Sequence, residues 1–543
     1  MSAMGGQKRF PVPRWGPLGY HRGRFRESSL EYRRSCRRYY WTPEIRQRLR
    51  NQEAAMNRPS TVGKKARMEN LGPDEAPEEC SAESFHDLDS VMASPMAQWK
   101  RSWWVREVDK PTLDIDWDAT KRFDATQIQQ VSWHKYVGEE KAQELTRRRR
   151  EKMRQWILED RPGYTLRDRA LDIAGGQSGT VDPTFRGSWA DVLAQTAKDR
   201  DEQKLSGTIR PKPMSPEELG VPRWEGKPEE NSRMIRTALR HYGAHQVGFV
   251  ELDERTRKLI YSVDSKDGKR IEFENVEQAY ETGEKRVIPE KVRWLIVFSI
   301  QMSEELIKRK SGPMPDALSS AATGSVYGQA RNITDRLQNF LYVLGYQGLK
   351  GTWYNGLGIA PAFGVLAGLG ELSRLNRMIS PEYGPLQRVF VAVTDLPLEP
   401  TKPIDAGIMN FCRTCKICAE QCPADCLSKE TEPYWEPQGP WNNPGHKTWY
   451  EDSPACSTWW AVSTAGCSTC FAVCAFAKKN ESVIHDLVKI TIAKNRVLPD
   501  RVNAFFTKMD GVFGYQDQRV IEEWWDMDMP PRGTKNTVRT LLD

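Results

Sequence analysis

The segment "FCRTCKICAEQCP" constrains this chain more than any other feature, because it sets Cys412, Cys415, Cys418 and Cys422 at x2, x2 and x3 spacing with Pro423 after the last. Three thiolates so close together wrap three corners of a [4Fe–4S] cube, and the fourth, before Pro, reaches the other cluster of a two-cluster protein. A second set follows: Cys456, then Cys467-x2-Cys470-x3-Cys474. Cross-ligation therefore predicts one cluster on Cys412, Cys415, Cys418 and Cys474 and another on Cys422, Cys456, Cys467 and Cys470. The second set departs from the usual pattern in its long gap after Cys456 and in Ala475 where Pro usually stands. Paired zinc ribbons are the alternative, since CxxC also suits tetrahedral zinc. The tight first run suits a cube better, and so dense a set argues against disulfides. Of the 11 cysteines, Cys36, Cys80 and Cys426 take no assigned role.

The rest of the 543 residues must explain what uses the electrons. With 28% charged, 10% aromatic and 38% hydrophobic residues, the chain can bury a large core, and it is neither wholly disordered nor a multi-span membrane protein. The net charge of +7 suggests nucleic acid until it is located. Residues 1–70 hold 17 Lys/Arg against 5 Glu, a local +12, and residues 71–543 hold 63 Lys/Arg against 68 Asp/Glu, a net −5. The basic excess is a tail without a periodic apolar face, which reads as weakly ordered; a nucleic-acid or anionic-lipid contact is its secondary reading. No secretory h-region follows its arginines. The longest uncharged run, Gly351 to Gly370, is long enough for a bilayer but holds six Gly and Pro361. It reads as close packing against a large ligand or, equally, as a tightly packed buried helix.

Five segments follow from the patterning. Residues 1–94 are the basic, leader-like region, and 95–228 an extended and helical region that packs on the core, with Trp99, Trp103, Trp104, Trp117 and Trp133 as docking aromatics and "VDKPTLDIDWD" as an extended arm. Within it, 139–159 has helical spacing and 205–228 reads as surface loop. Residues 229–400 alternate helices (231–242, 303–309, 318–344) with apolar strands ("GAHQVGFVEL", "RWLIVFSIQM", "RVFVAVTDL"), the mark of a layered α/β domain. Residues 401–480 carry the clusters, and 481–543 form a helical tail.

No P-loop and no G-x-G-x-x-G after a strand is present, and no D-x-H-x-x-G motif offers a histidine to a corrinoid. The chain resembles the corrinoid-dependent reductive dehalogenases. The resemblance is carried by "WWVREVDKPTLDIDWD" (103–118), "VPRWEGKPEEN" (221–231), "GSVYGQA" and "LGYQGL" (324–349), "VLAGLGELSR" (365–374), "ISPEYGPLQR" (379–388) and "VTDLPLEPTKPIDAGIMNFCRTCKICAEQCP" (393–423), and it covers about 95–543.

That resemblance implies a nitroreductase-like domain holding base-off cobalamin, joined to a bacterial ferredoxin-like two-cluster segment. It implies removal of halide from an organohalide, with Tyr327 as proton donor, Arg388 as the cation that stabilises its phenolate, and Asn355, in a "GTWYNGLG" one residue longer than the family pattern, as the third active-site residue. Tyr346, Gly368, Gly370 and Glu371 are its candidate cobalamin contacts. A core Tyr and a strand-edge Arg are the plain structural readings of Tyr327 and Arg388. The resemblance further implies a small membrane-anchor subunit, a respiratory-chain electron donor, no nucleic-acid partner, and a place on the outer face of the cytoplasmic membrane. "SFHDLDSVMAS" (84–94) resembles the stretch after a twin-arginine leader, although "RRSCRR" (33–38) matches such a leader poorly. The alternatives are an epoxyqueuosine reductase-like enzyme, which shares cobalamin and two clusters but acts on tRNA, and a non-catalytic electron-transfer subunit. An acidic body and a Tyr at 327 in place of an acidic donor weigh against the first, and some 400 residues outside the clusters against the second.

Overall fold

The three apolar runs become the three long strands of one sheet, and both faces of that sheet are covered. In the computed structural model, which describes residues 104–176, 215–309, 317–351, 356–477, 483–494, 501, 505–509 and 522–527, the strands are β1 (Arg106–Glu107), β2 (Gln246–Glu251), β3 (Arg270–Glu274), β4 (Tyr280–Glu281), β5 (Lys285–Pro289), β6 (Trp294–Gln301), β7 (Gly348–Lys350), β8 (Glu371–Leu372), β9 (Met378–Ile379), β10 (Gln387–Thr394) and β11 (Ile404–Asp405). The main sheet runs β2-β6-β10-β7, with every neighbour antiparallel. On β6, Ile296, Phe298 and Ile300 point to one face, against Ile235 and Leu239 of the Pro228–Tyr242 helix and Val326, Ile333 and Leu337 of the Ala317–Leu344 helix. Leu295 and Val297 point to the other, against Phe363 and Val365 of the Ala360–Leu366 helix. A strand covered on both sides needs apolar side chains at odd and even positions alike, which is why "RWLIVFSIQM" reads as one unbroken run. The alternation of elements therefore conveys a mixed α/β fold but not strand direction.

The helix expected over 139–159 forms as Glu139–Leu158. The 205–228 loop is corrected where it is described: Pro216–Leu219 is a short helix, because Ser215 and Glu218 close a capping box and Pro216 takes its first turn. Residues 270–289 add an unforeseen small sheet, β3-β5-β4.

The 107–118 arm docks as an extended chain. β1 pairs with β11, Asp116 N donates to Gly445 O at 2.9 Å, and Lys447 N donates to Asp114 O at 3.0 Å. Pro111, Leu113, Ile115 and Trp117 turn inward while the residues between them are exposed, a period of two.

Residues Lys100–Asp543 form one compact unit. A continuous apolar cluster joins Ile300 and Met302 of the sheet region to Ile408, Phe411, Phe471 and Phe476 of the cysteine segment. The expected boundaries at 228, 400 and 480 thus mark changes of sequence character inside that unit. The basic 1–94 segment, Trp99, Trp103, Cys36 and Cys80 lie outside the described residues. Among the described residues no helix is long and apolar enough to cross a membrane.

Candidate active site

Four short helices present the thiols. Ile408–Thr414 and Ile417–Glu420 carry Cys412 and Cys418, while Ser453–Ser463 and Thr469–Ala472 carry Cys456 and Cys470. The fold brings Cys412, Cys415, Cys418 and Cys474 close enough to influence one another's ionisation, and does the same for Cys422, Cys456, Cys467 and Cys470. Cys418 and Cys470 bring the two groups next to each other. Burial pushes the Cys412, Cys418, Cys467 and Cys470 thiols up, so each holds its proton until a metal displaces it. None of the nine described cysteines is in a disulfide. Thiols gathered in this way fit iron–sulfur ligation.

Arg374, which sequence reasoning quotes inside "GELSR" without a role, holds the first group in place. Fully buried, it donates to the carbonyls of Cys412 (2.7 Å), Cys415 (3.2 Å), Arg413 (3.2 Å), Ser428 (2.8 Å) and Glu430 (2.6 Å), and stacks on Trp449. Its neighbour Glu371 accepts from Ala406 N (2.8 Å), Ile408 N (3.0 Å) and Thr112 Oγ1 (2.8 Å), tying the arm and the Cys412 helix to the body. Burial raises that carboxyl to about 7 against the pull of these bonds.

Glu371 does not line the molecule's large cavity, and neither do the other three candidate cobalamin contacts. The Tyr346 hydroxyl donates to Trp224 O at 2.7 Å, Gly368 takes φ +68° in a turn, and a Cβ on Gly370 would stand 2.3 Å from Ile379 O. Packing between backbone segments explains these residue types. The small residues of 351–370 divide between the two readings, since Gly364 packs on Met378 while Gly351, Gly356, Ala360 and Ala362 reach the cavity.

The cavity, about 1290 Å³, lies between the sheet domain and the cysteine segment. It exceeds the roughly 300–1,000 Å³ of a drug-sized site. The arm walls it with Pro111, Leu113, Ile115 and Trp117, and the long helix presents Ser320, Thr323, Tyr327, Arg331 and Thr334 at three- and four-residue intervals, one stripe of its surface. Cys422, Cys426, Cys456, Cys467 and Cys470 also line it; Cys412, Cys415, Cys418 and Cys474 do not.

Tyr327 and Arg388 meet at this wall. The Tyr327 ring stands edge-on to Phe390, two residues along β10 from Arg388, and Arg388 lies over the Phe471 ring at 5.0 Å. Burial lowers the Arg388 pKa, and the nearby Tyr327 opposes that shift. Tyr261, missed by sequence reasoning, also lines the cavity; burial drives its phenol well above the ordinary value. Arg377 pairs with Glu451 at 2.7 Å beside the second thiol group. Asn355 lies outside the described residues.

Five residues of the cavity lining each hold a buried polar atom without a hydrogen-bond partner: Gln387 Oε1, Arg388 Nε, Asn443 Oδ1, Trp459 Nε1 and Trp460 Nε1. Such atoms are rare, and each costs about 1–3 kcal/mol unless a ligand satisfies it. Polar side chains set among the apolar lining fit a large ligand with a polar rim.

A family model described as the reductive dehalogenase subunit matches residues 100–398. The chain belongs to the reductive dehalogenase family and is an oxidoreductase. It is 29% identical over 513 residues to the chloroethene reductive dehalogenase of Dehalococcoides mccartyi (strain VS), covering 83% of this chain and 93% of that one. A trichloroethene reductive dehalogenase from another strain of that species is 33% identical over 58% of this chain and 60% of its own length. For the tetrachloroethene reductive dehalogenase of Sulfurospirillum multivorans the identity is 32%, over 55% and 60%. In fold the chain is similar to a solved variant of the catabolic reductive dehalogenase NpRdhA, with TM-score 0.52 and 19% identity over 78% of this chain and 51% of that one. It is equally similar, at TM-score 0.52 and 18% identity, to a reductive dehalogenase solved to explain B12-dependent dehalogenation. The chain spans about half the length of these solved proteins and 60% of the trichloroethene and tetrachloroethene enzymes.

Proposed function

We propose that the chain is the catalytic subunit of a reductive dehalogenase that holds base-off cobalamin in the 1290 Å³ cavity and a [4Fe–4S] cluster on each thiol group. In this reading the sheet domain is nitroreductase-like and the cysteine segment is bacterial ferredoxin-like. The observation that carries it is that Tyr327, Arg388 and the second thiol group line the same cavity. The net reaction takes an organohalide, two electrons and one proton to the hydrogen-substituted product and halide. Bound cobalamin supplies a strongly reducing cobalt centre for carbon–halogen cleavage.

The chain's own residues do the rest. Gln387, Asn443, Trp459 and Trp460 would hold the polar rim of the cofactor, and the arm residues Leu113 and Trp117 would help close the cavity. Tyr327 Oη gives its proton to the carbon that loses halide, and the Arg388 guanidinium favours the phenolate left behind. The exposed Arg413 and Glu420 on the helices of the first thiol group support electron entry there, with exit into the cavity on the Cys470 side. His446 is the one histidine among the described lining residues; burial lowers it to about 4, so it is neutral at pH 7. The proposal gives His446 no role in holding the cofactor, so His446→Ala is expected to leave the electron paramagnetic resonance (EPR) spectrum of the corrinoid-loaded protein unchanged.

The substrate class follows the relatives, which are named for chlorinated ethenes. Membrane association through a small anchor subunit, electrons from a respiratory chain and a place on the outer face of the cytoplasmic membrane belong to the same proposal and rest on family resemblance. Membership of the dehalogenase family also weighs against both the tRNA-acting alternative and the bare electron-transfer subunit. Halide release by protein reconstituted with cobalamin, iron and sulfide, under a low-potential donor and across chlorinated ethenes, ethanes and arenes, tests the function. No halide from any of them overturns it.

A further inference from the structure

We propose that Cys426 is a spare thiol ligand at the Cys422 corner of the second cluster, able to hold that iron when Cys422 is absent. This rests on the reading that the second thiol group binds a [4Fe–4S] cluster. The usual motif accounts for four thiols there, and the fold supplies five. Cys422 Sγ and Cys426 Sγ stand 3.3 Å apart. Cys426 Sγ, Cys456 Sγ and a Glu451 carboxylate oxygen all lie within 4.8 Å of one another.

The separation decides between two uses of the extra thiol. Two thiolates bound to one tetrahedral ion at about 2.3 Å each stand about 3.8 Å apart. A pair at 3.3 Å therefore addresses one iron and not two neighbouring irons. The chain builds this contact deliberately. Asp425 takes the left-handed region at φ +48°, a conformation Asp tolerates, and its N–H bonds to Cys422 O at 3.1 Å. That turn folds Cys426 back over Cys422, and Asp452 N fixes it by donating to Cys426 O at 2.9 Å. Cys426 is the more buried of the pair, and both line the cavity.

While Cys422 is the bound thiolate, Cys426 keeps its proton and donates S–H to the Cys422 sulfur. Hydrogen bonds to cluster sulfurs are one of the factors that set the potential. Once Cys422 is removed, Cys426 gives up that proton and binds the same iron.

The test measures iron, sulfide and EPR spectra for the reconstituted unsubstituted protein, Cys422→Ala, Cys426→Ala and the double variant. Cys422→Ala is expected to keep the full iron content with a shifted second-cluster signal. The double variant is expected to lose iron, by up to about half if the whole cluster is lost, or to show a three-iron signal, with the first-cluster signal intact. Loss in Cys422→Ala as complete as in the double variant overturns the proposal. If Cys422→Ala fails to fold, Cys426→Ala decides alone. A shift confined to the second cluster's spectrum or potential supports a thiol at that corner, and a spectrum identical to the unsubstituted protein overturns it. Failure of the unsubstituted protein to hold two four-iron clusters refutes the functional reading instead, and the two failures are thereby distinguished.

Discussion

The two thiol groups are built from similar spacings but differ in their surroundings. The first is sealed in the apolar core, and the backbone around it is tied to the buried cation Arg374 through five carbonyls. The second opens on the cavity, has the Arg377–Glu451 pair beside it and carries an additional thiol. The difference teaches that spacing sets what a thiol group binds, while the surrounding fold sets what it serves. One group is held within the body, and the other faces the cavity proposed for the chemistry.

The strongest way to break this contrast is Cys470→Ser, which is expected to abolish halide release while leaving the first cluster's EPR signal in place. Equal loss of both signals would mean that the groups are not separable. Tyr327→Phe tests the chemistry at the cavity wall without touching either group. Its kcat is expected to fall by about 10²–10⁴-fold with iron and corrinoid content unchanged, and full activity removes Tyr327 as the acid.

Arg374→Met probes the first group alone. Several buried carbonyls lose their donor at about 1–3 kcal/mol each, so urea unfolding is expected to show a loss of several kcal/mol, and redox titration a shift confined to the first cluster. A shift in the second cluster contradicts the assignment.

Glu371→Gln gives the smallest effect. The folded carboxyl is raised from an ordinary 4.5 to about 7, so the folded state holds the proton more tightly than the unfolded one. Stability should therefore fall as pH rises from about 4.5 to about 7, by about 1–3 kcal/mol, and be level above that. In Glu371→Gln that slope is expected to vanish; an unchanged slope in pH-dependent unfolding assigns it to another group.

How much of this was legible in the sequence depended on how local the cause was. The cysteine grouping could be read because ligand spacing is fixed by the size of what it wraps, and the arm because Pro111, Leu113, Ile115 and Trp117 alternate in the chain itself. Tyr327 and Arg388 came only through family resemblance: nothing local distinguishes them, and they meet because β10 passes the long helix. Arg374, Tyr261 and Cys426 were invisible as site residues, since their partners are brought to them by tertiary contacts. Gly368, Gly370, Glu371 and Tyr346 also came through family resemblance, and none of the four lines the cavity.

The central claim is that the second thiol group, and not the first, faces the cofactor cavity. Pulsed EPR on the reconstituted, partly reduced protein measures the magnetic coupling of the cob(II)alamin signal to its nearest cluster. The account predicts a coupling that disappears in Cys470→Ser and persists in Cys415→Ser. Persistence in Cys470→Ser together with loss in Cys415→Ser would contradict it.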